Sequence, residues 1–394
     1  MISFLLIVFW SCIFTIFYTY LGFGICLALA VRIMKRREMH IDKAFDPFPK
    51  VSFLIAAYNE EKVIRAKIDN ILNLDYPCDR MTIYVISDSS TDRTHAIVSS
   101  YAHEQVRLIV STERRGKTFC ENLGLKQIDN DFIVFTDAST MLEAHCLQNL
   151  MRHFSAREVG CVSTVDRSIH SDVNRGENLY VRYEMAIRAL EGRFDSLVGL
   201  SGSCYAARRE LCTELPDHVT RDFALPLIAR GKGFISIDDP EAVCYVNPTQ
   251  DSKIEFQRKV RTFTNGISTL IYQKNLLNIC RHGRFAGMLW SHKVLRWLLP
   301  FFFIGAFLTN LALVPWKRIF RLFMIAQILG YLAAFIGHLS KSSNIAAKFT
   351  RIILFFCMTN LASLMAWYNY ATNKRMAKWE PTKGNKLLII NKIN

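Results

Sequence analysis

The sequence predicts an α/β domain with a mostly parallel central sheet, held between α-helical transmembrane segments at both ends. Three observations predict it. Apolar residues pool at the two ends of the 394-residue chain, in runs long enough to cross a bilayer. Between them, short strands rich in β-branched residues alternate with stretches of helical period, the pattern of βαβ units. Three of those strands run straight into polar or acidic turns, and open α/β sheets bind ligands just outside the carboxyl ends of their strands.

Ile2 to Val31 is almost free of charge and is followed by Arg32 and Lys35-Arg36-Arg37. A secretory signal has a shorter apolar core and the opposite charge order, so segment 1–37 reads as a tilted or overlong transmembrane helix. Its basic end, and the domain that follows, are expected on the cytoplasmic side. Residues 48–266 are the expected α/β domain, with strands at 51–57, 81–87, 106–111, 132–136 and 159–165. Thr91–Tyr101 and Lys117–Ile128 read as two of its helices. Residues 267–296, mixed basic and apolar, suit amphipathic helices in the membrane interface. Trp290, His292, Lys293, Arg296 and Trp297 read as an anchoring belt of aromatic and basic residues.

Within 297–371, Trp297–Val314, Ile319–Leu339 and Phe349–Tyr370 are each long enough to span, and Pro300 is a candidate kink. Lys317-Arg318, Lys341, Lys348 and Arg351 separate them, and the tail 372–394 carries Lys374, Arg375 and Lys378. One span before the domain and three after it would put this basic tail outside, whereas the charge rule prefers it inside. The conflict leaves open that one apolar segment is re-entrant or lies in the interface.

The formal charge of +15 fits nucleic-acid binding or a protein facing an anionic leaflet. With apolar spans present and no nucleic-acid motif, the second is expected, and no nucleic-acid partner. The eleven cysteines form no CxxC pair and no zinc spacing, and reduced thiols are expected.

The first strand, Val51–Ala57, ends in Tyr58-Asn59-Glu60-Glu61; the second ends in Asp88-Ser89-Ser90-Thr91-Asp92; the fourth ends in Asp137-Ala138-Ser139-Thr140. Asp88 can accept hydrogen bonds from a base or ribose. Asp137 is a hard oxygen ligand of the kind that binds Mg2+ or Mn2+ together with substrate phosphates. Arg114-Arg115-Gly116-Lys117 can meet phosphate charge at a helix start. Taken singly, an Asp at a strand end is more often a turn former, and a basic run is more often solvated surface. Together, in this order, they suggest a nucleotide-diphosphate site.

These motifs resemble a membrane-integrated family-2 glycosyltransferase of the inverting, Rossmann-like A type, with the cellulose, poly-N-acetylglucosamine and hyaluronan synthases as relatives. The resemblance covers about 48 to 265. It implies donor binding by Ala57, Tyr58, Asn59 and Glu60, by Asp88 at the uracil, and by Lys117 in Arg115-Gly116-Lys117 with Asn122 following. Asp137 takes the place of the metal-binding Asp-x-Asp. Ser201-Gly202-Ser203 with Ala206-Ala207-Arg208 resembles the turn and strand beside the acceptor, and Asp222 in Thr220-Arg221-Asp222 matches the catalytic base. Arg258 and Arg261 lie where processive members carry Gln-x-x-Arg-Trp and are expected at the donor phosphates.

Three departures stand out. Ser139 replaces the second metal Asp, Arg221 replaces an acidic neighbour of the base, and Thr262 replaces the Trp that would floor the acceptor sugar. Transfer of one or a few sugars is therefore expected over long-polymer synthesis. The donor is expected to be a UDP-sugar, the acceptor a glycan or lipid-linked molecule at the bilayer, and the setting polysaccharide biosynthesis at a bacterial inner membrane. The resemblance leaves open an oligomer and polysaccharide-export partners. The alternative is a non-catalytic membrane subunit or scaffold. A dinucleotide oxidoreductase lacks support, because Tyr-Asn-Glu-Glu stands where G-x-G-x-x-G would be. A transporter lacks an intramembrane charge relay.

Overall fold

A computed structural model describes residues 1–34, 48–101, 104–168, 175–246, 252–339 and 345–379. Lys35, Arg36, Arg37, Lys341 and the tail beyond 379 lie outside the described residues, as do the side chains of Tyr180 and Lys348.

Among the described residues, eight strands form one sheet: β1 (Val51–Ala57), β2 (Met81–Ser87), β3 (Val106–Val110), β4 (Phe132–Thr136), β5 (Met141–Leu142), β6 (Val159–Ser168), β7 (Cys204–Arg208) and β8 (Ile235–Val246). Their order is β3-β2-β1-β4-β7-β6-β8-β5. β1 pairs in parallel with β2 and β4, β2 with β3, and β6 with β8. β7 is inserted antiparallel between β4 and β6, and β5 closes the far edge antiparallel to β8. β1 is apolar at almost every position because both faces are covered. Phe53 and Ile55 pack with Val85 and Val134 on one side, whereas Leu54 packs with Ile86, Ile133 and Phe135 on the other.

The five expected strands are present, and β5, β7 and β8 add to them. β8 is masked in the sequence by Asp238-Asp239-Pro240-Glu241, where its pairing with β6 shifts register around Ser163 and Val165. The two expected helices are shorter: Thr94–Ser99 starts late, where Asp92 accepts the Thr94 amide and hydroxyl, and Lys117–Leu125 starts as expected but ends three residues earlier. The strand order reverses at β1, with β2 on one side and β4 on the other. Such a switch point opens a crevice at the carboxyl ends of the flanking strands.

Among the described residues, four helices are long and apolar enough to cross a membrane: Ile2–Ile33, Ile279–Leu313, Arg318–Leu339 and Phe349–Ala371. Ile2–Ile33 and Ile279–Leu313 run antiparallel. Tyr18 meets Ser291 near the sheet domain, and Cys12 lies against Gly305 further out. The last helix returns, with Phe356 beside Phe303 and both Ser363 and Trp367 donating to the Trp297 carbonyl. Arg318–Leu339 packs against the other three helices. Phe320 meets Phe9, Tyr331 meets Phe307, and Gly337 lies on the Thr350 backbone.

The chain comes back to the domain it left. Asn265 donates to the Met376 carbonyl, Arg375 to Ser268 Oγ, and Arg114 to the Trp379 carbonyl. The described part of the basic tail is on the same side as the sheet.

Of the expected interface belt, only Trp290 is exposed. His292 is buried between Glu191 and Glu184, Arg296 pairs with Glu184, and Trp297 packs edge-on against Phe223. The difference has a simple cause: three carboxyl and aromatic partners on neighbouring elements draw these residues inward. No disulfide is recorded among the described residues.

Candidate active site

Two strand-end turns are laced together at the crevice. Asn59 adopts a positive φ of 52°, and its Oδ1 accepts the Thr91 amide at 2.8 Å while its own amide donates to Ser90 Oγ at 3.1 Å. Asn tolerates this left-handed backbone better than most residues. The Glu60 amide donates to Thr94 Oγ1, and the Ala57 carbonyl accepts the Asp88 amide at 2.8 Å. Ala57 and Glu60 are thus placed to build the turn, and both are buried.

Asp88 is fully buried. Its carboxylate accepts the amides of Arg115 at 2.8 Å and Gly116 at 3.0 Å. In this structure it shapes the basic loop. The Arg114 guanidinium lies 3.7 Å over the Tyr58 ring, and the Trp379 ring approaches the same tyrosine at 6.3 Å. The returning tail therefore lies directly over the Tyr58–Gly116 end of the crevice.

Gly116 has φ 110° and ψ 174°, a conformation open essentially to glycine alone. A Cβ there would also stand 2.3 Å from the Ala377 carbonyl oxygen. Gly116→Ala is expected to cost about 1–3 kcal/mol locally. It should release both the loop and the tail, read as a lower melting temperature and faster amide exchange at 114–117.

Lys117 opens the helix that follows. Its ammonium contacts Asp137 Oδ1 at 2.5 Å and the Gly202 carbonyl at 3.2 Å. Burial pulls its pKa down, but the charges of Asp137 and Glu121 outweigh that and leave it above the usual lysine value. The antiparallel β4–β7 pairing supplies the other wall: the Asp137 amide donates to the Ser203 carbonyl at 3.0 Å. Asp222 sits in the first turn of the helix Arg221–Gly231, and Leu200 donates to its backbone carbonyl. A Cβ on Gly202 would stand 3.1 Å from Asp222 Oδ2, so the glycine lets this carboxylate reach the crevice. Burial raises the Asp222 pKa, Lys117 opposes the rise and Asp137 adds to it.

Lys117, Asp137, Gly202 and Asp222 thus converge, from positions spread over a hundred residues. Ser201 and Ser203 flank them, but both hydroxyls donate to Asp166, at 2.6 and 3.0 Å, and so set the turn. Asp166 was missed in the sequence, although it too ends a strand-like run in an acid.

Arg221 does not pair with Asp222. It is 2% exposed and donates to Glu121 at 3.1 Å, Asn122 at 2.6 Å and the Thr213 carbonyl at 2.9 Å. Asn122 in turn clasps the Leu215 backbone. The substitution of Arg for an acid at 221 is matched by a buried Glu at 121. Arg258 is held by Glu255 on its own helix at 2.8 Å, and Arg261 lies one turn further along that helix. Thr262 brings no aromatic ring, and Trp297, which fills the space over Gly266, is too buried to serve as a sugar platform.

Among the described residues no group of three or more His, Cys, Asp or Glu could cage a metal ion. Asp137 is a hard-oxygen donor with a side chain 44% exposed, which fits a divalent ion shared with substrate phosphates rather than a closed protein cage.

Residues 52–215 match the family model for glycosyl transferase family 2. A beta-monoglucosyldiacylglycerol synthase of Synechocystis is 28% identical over 207 residues, 48% of this chain and 42% of the relative. The chain thus spans less than half the length of that relative. A poly-beta-1,6-N-acetyl-D-glucosamine synthase of Staphylococcus aureus is 23% identical over 282 residues, 67% of each chain. A mannosyltransferase of Pyrobaculum calidifontis, solved with GDP-Man and Mn2+, matches with a TM-score of 0.70 at 21% identity. That likeness covers 93% of this chain and 99% of the other, and it shows the A-type glycosyltransferase fold. Residues 52–215, with their switch-point crevice, are a glycosyl transferase family 2 domain joined to helices able to span a membrane.

Proposed function

We propose that the chain transfers a sugar, with inversion, from a nucleotide-sugar donor to a glycan or lipid-linked acceptor at the membrane. The observation that carries this reading is the meeting of Lys117, Asp137 and Asp222 around Gly202 at the carboxyl ends of β1 and β4. The family match ends before Asp222, so the role of that residue rests on this geometry.

The donor would enter between the Tyr58–Glu60 turn and the Arg115–Lys117 loop, with UDP the first candidate because Asp88-Ser89-Ser90-Thr91-Asp92 resembles the family's uracil-binding loop. Lys117 would stabilise negative charge on the leaving diphosphate. Asp222 would take the proton of the acceptor hydroxyl as its oxygen attacks the anomeric carbon. Mg2+ or Mn2+, held by Asp137 and the diphosphate, would supply Lewis-acid stabilisation of the same charge. A single displacement leaves no covalent enzyme intermediate.

The domain would face the cytoplasm, because Arg32 stands in the last turn of the first apolar helix and the tail residues Lys374 and Arg375 return to the same side. Relatives in glycolipid and in polysaccharide synthesis leave both acceptor classes open.

The test is release of nucleotide diphosphate by purified full-length protein from a panel of UDP-, GDP- and dTDP-sugars. Release from one donor, lost in Asp137→Ala and with EDTA, and restored by Mn2+ or Mg2+, is the expected result. Release that ignores both treatments would remove Asp137 and the metal from the mechanism. Binding without turnover would favour a non-catalytic subunit.

A further inference from the structure

The helix Ile279–Leu313 carries a π-turn at Trp290–Val294, a wider turn often found where a side chain has a task. Two side chains near this turn are paired with carboxylates. His292 Nδ1 lies 2.5 Å from Glu191 and its Nε2 lies 3.0 Å from Glu184, which also pairs with Arg296. The nearby carboxylates of Glu184 and Glu191 are therefore engaged.

Lys293 points the other way, toward the catalytic crevice. Its Nζ lies 5.8 Å from the centre of the Phe223 ring and would stand 3.6 Å from a Cβ at Gly199. Among the described residues no hydrogen bond or close ion pair ends on it, although Glu191 and Asp222 lie within electrostatic reach. The loop Gly199–Gly202 separates it from the candidate base: Lys293 touches one end at Gly199, and Asp222 touches the other at Gly202. Lys293 is partly exposed beside the Phe223 ring, and with Glu184 and Glu191 engaged by His292 and Arg296 its ammonium keeps donors for an anion entering the crevice. The ammonium is a three-donor point charge well suited to phosphate. It also stands three residues from the exposed Trp290, so an anion reaching it from the membrane border would belong to an amphiphile.

We propose that Lys293 binds the phosphate of a lipid acceptor and thereby presents a neighbouring hydroxyl of that acceptor to Asp222. The acceptor class is an amphiphile bearing both a phosphate and a free hydroxyl. The inference rests on the transferase reading above. In the step, the acceptor O–H proton passes to Asp222, the acceptor oxygen bonds to the anomeric carbon, and the bond to the nucleotide diphosphate breaks. Lys293 exchanges no proton.

The experiment uses full-length protein in phosphatidylcholine vesicles containing either phosphatidylglycerol or diacylglycerol, with the labelled donor found by the panel. Sugar in the lipid fraction is measured against acceptor concentration. The wild type should prefer phosphatidylglycerol. Lys293→Met should reduce that preference about 10- to 100-fold, chiefly through acceptor KM, the loss expected for one charge-assisted contact. Lys293→Arg should keep most of the preference and shows that the effect follows the charge.

An equal loss on both acceptors, or none, overturns the proposal in favour of a structural lysine. Inhibition by inorganic phosphate without lipid labelling overturns the lipid source. Donor hydrolysis with no labelling of phosphatidylglycerol overturns this inference and leaves the transferase reading standing, whereas no donor turnover at all removes both.

Discussion

Asp222→Asn is expected to lower kcat by about 100- to 10,000-fold, the range for removing a general base. Asparagine keeps the shape and the backbone bond from Leu200, but its amide cannot take the acceptor proton. Donor binding should persist, because the loops around Asp88 and Gly116 do not use this carboxylate.

The pH profile gives an independent check. Asp222 acts deprotonated, and burial raises its pKa, so kcat/KM should rise with pH through a value above the ordinary carboxylate range. Lys117 opposes the rise; Lys117→Met therefore removes a positive neighbour and should move this acid limb to higher pH. A full rate in Asp222→Asn would discard the assignment. An acid limb that stays in place in Lys117→Met would separate the limb from Asp222.

Arg221→Met, one residue away, is expected to act on stability instead. The guanidinium is buried with Glu121, and losing it leaves a buried carboxylate and the Thr213 carbonyl without their donor, while Asn122 Oδ1 keeps only the Leu215 amide. Breaking such a pair costs about 3–5 kcal/mol. For a domain of this size that is a fall in melting temperature of roughly 6–20 °C. Burial already raises the Glu121 pKa despite Lys117 and Arg221, so Glu121 should shed its charge readily once the arginine is gone. The double variant Arg221→Met, Glu121→Leu should recover part of the loss, because an apolar pair of similar volume replaces a buried ionic one. The two neighbouring substitutions thus separate cleanly. One removes turnover from a folded protein; the other unfolds a protein whose surviving fraction keeps its pH limb.

The parallel half of the sheet was legible because β1, β2 and β4 are buried on both faces and so read as unbroken apolar runs. β7 and β8 were not, since Cys204–Arg208 is short and β8 carries three acids and a proline within its length. Asp88, Asp137 and Asp222 were legible as acids in turns or caps after apolar runs or beside familiar motifs. Their partners were not. Nothing local indicates that Asp88 holds the 115–116 amides, that Lys117 reaches Asp137, or that Ser201 and Ser203 serve Asp166.

The sequence by itself determined the alternation of strands and helices, the apolar spans, and the acids at the carboxyl ends of strands. These depend on residue periodicity and on what neighbours in the chain do. Only the tertiary structure decided which charges are spent on one another and which remain. His292 and Arg296 turn inward to Glu184 and Glu191, Arg221 turns to Glu121, the tail returns over Tyr58, and Lys293 stands beside the crevice. The physical reason is range: hydrogen bonds and ion pairs act over a few ångströms in space, and these partners are separated by up to several hundred residues in the chain.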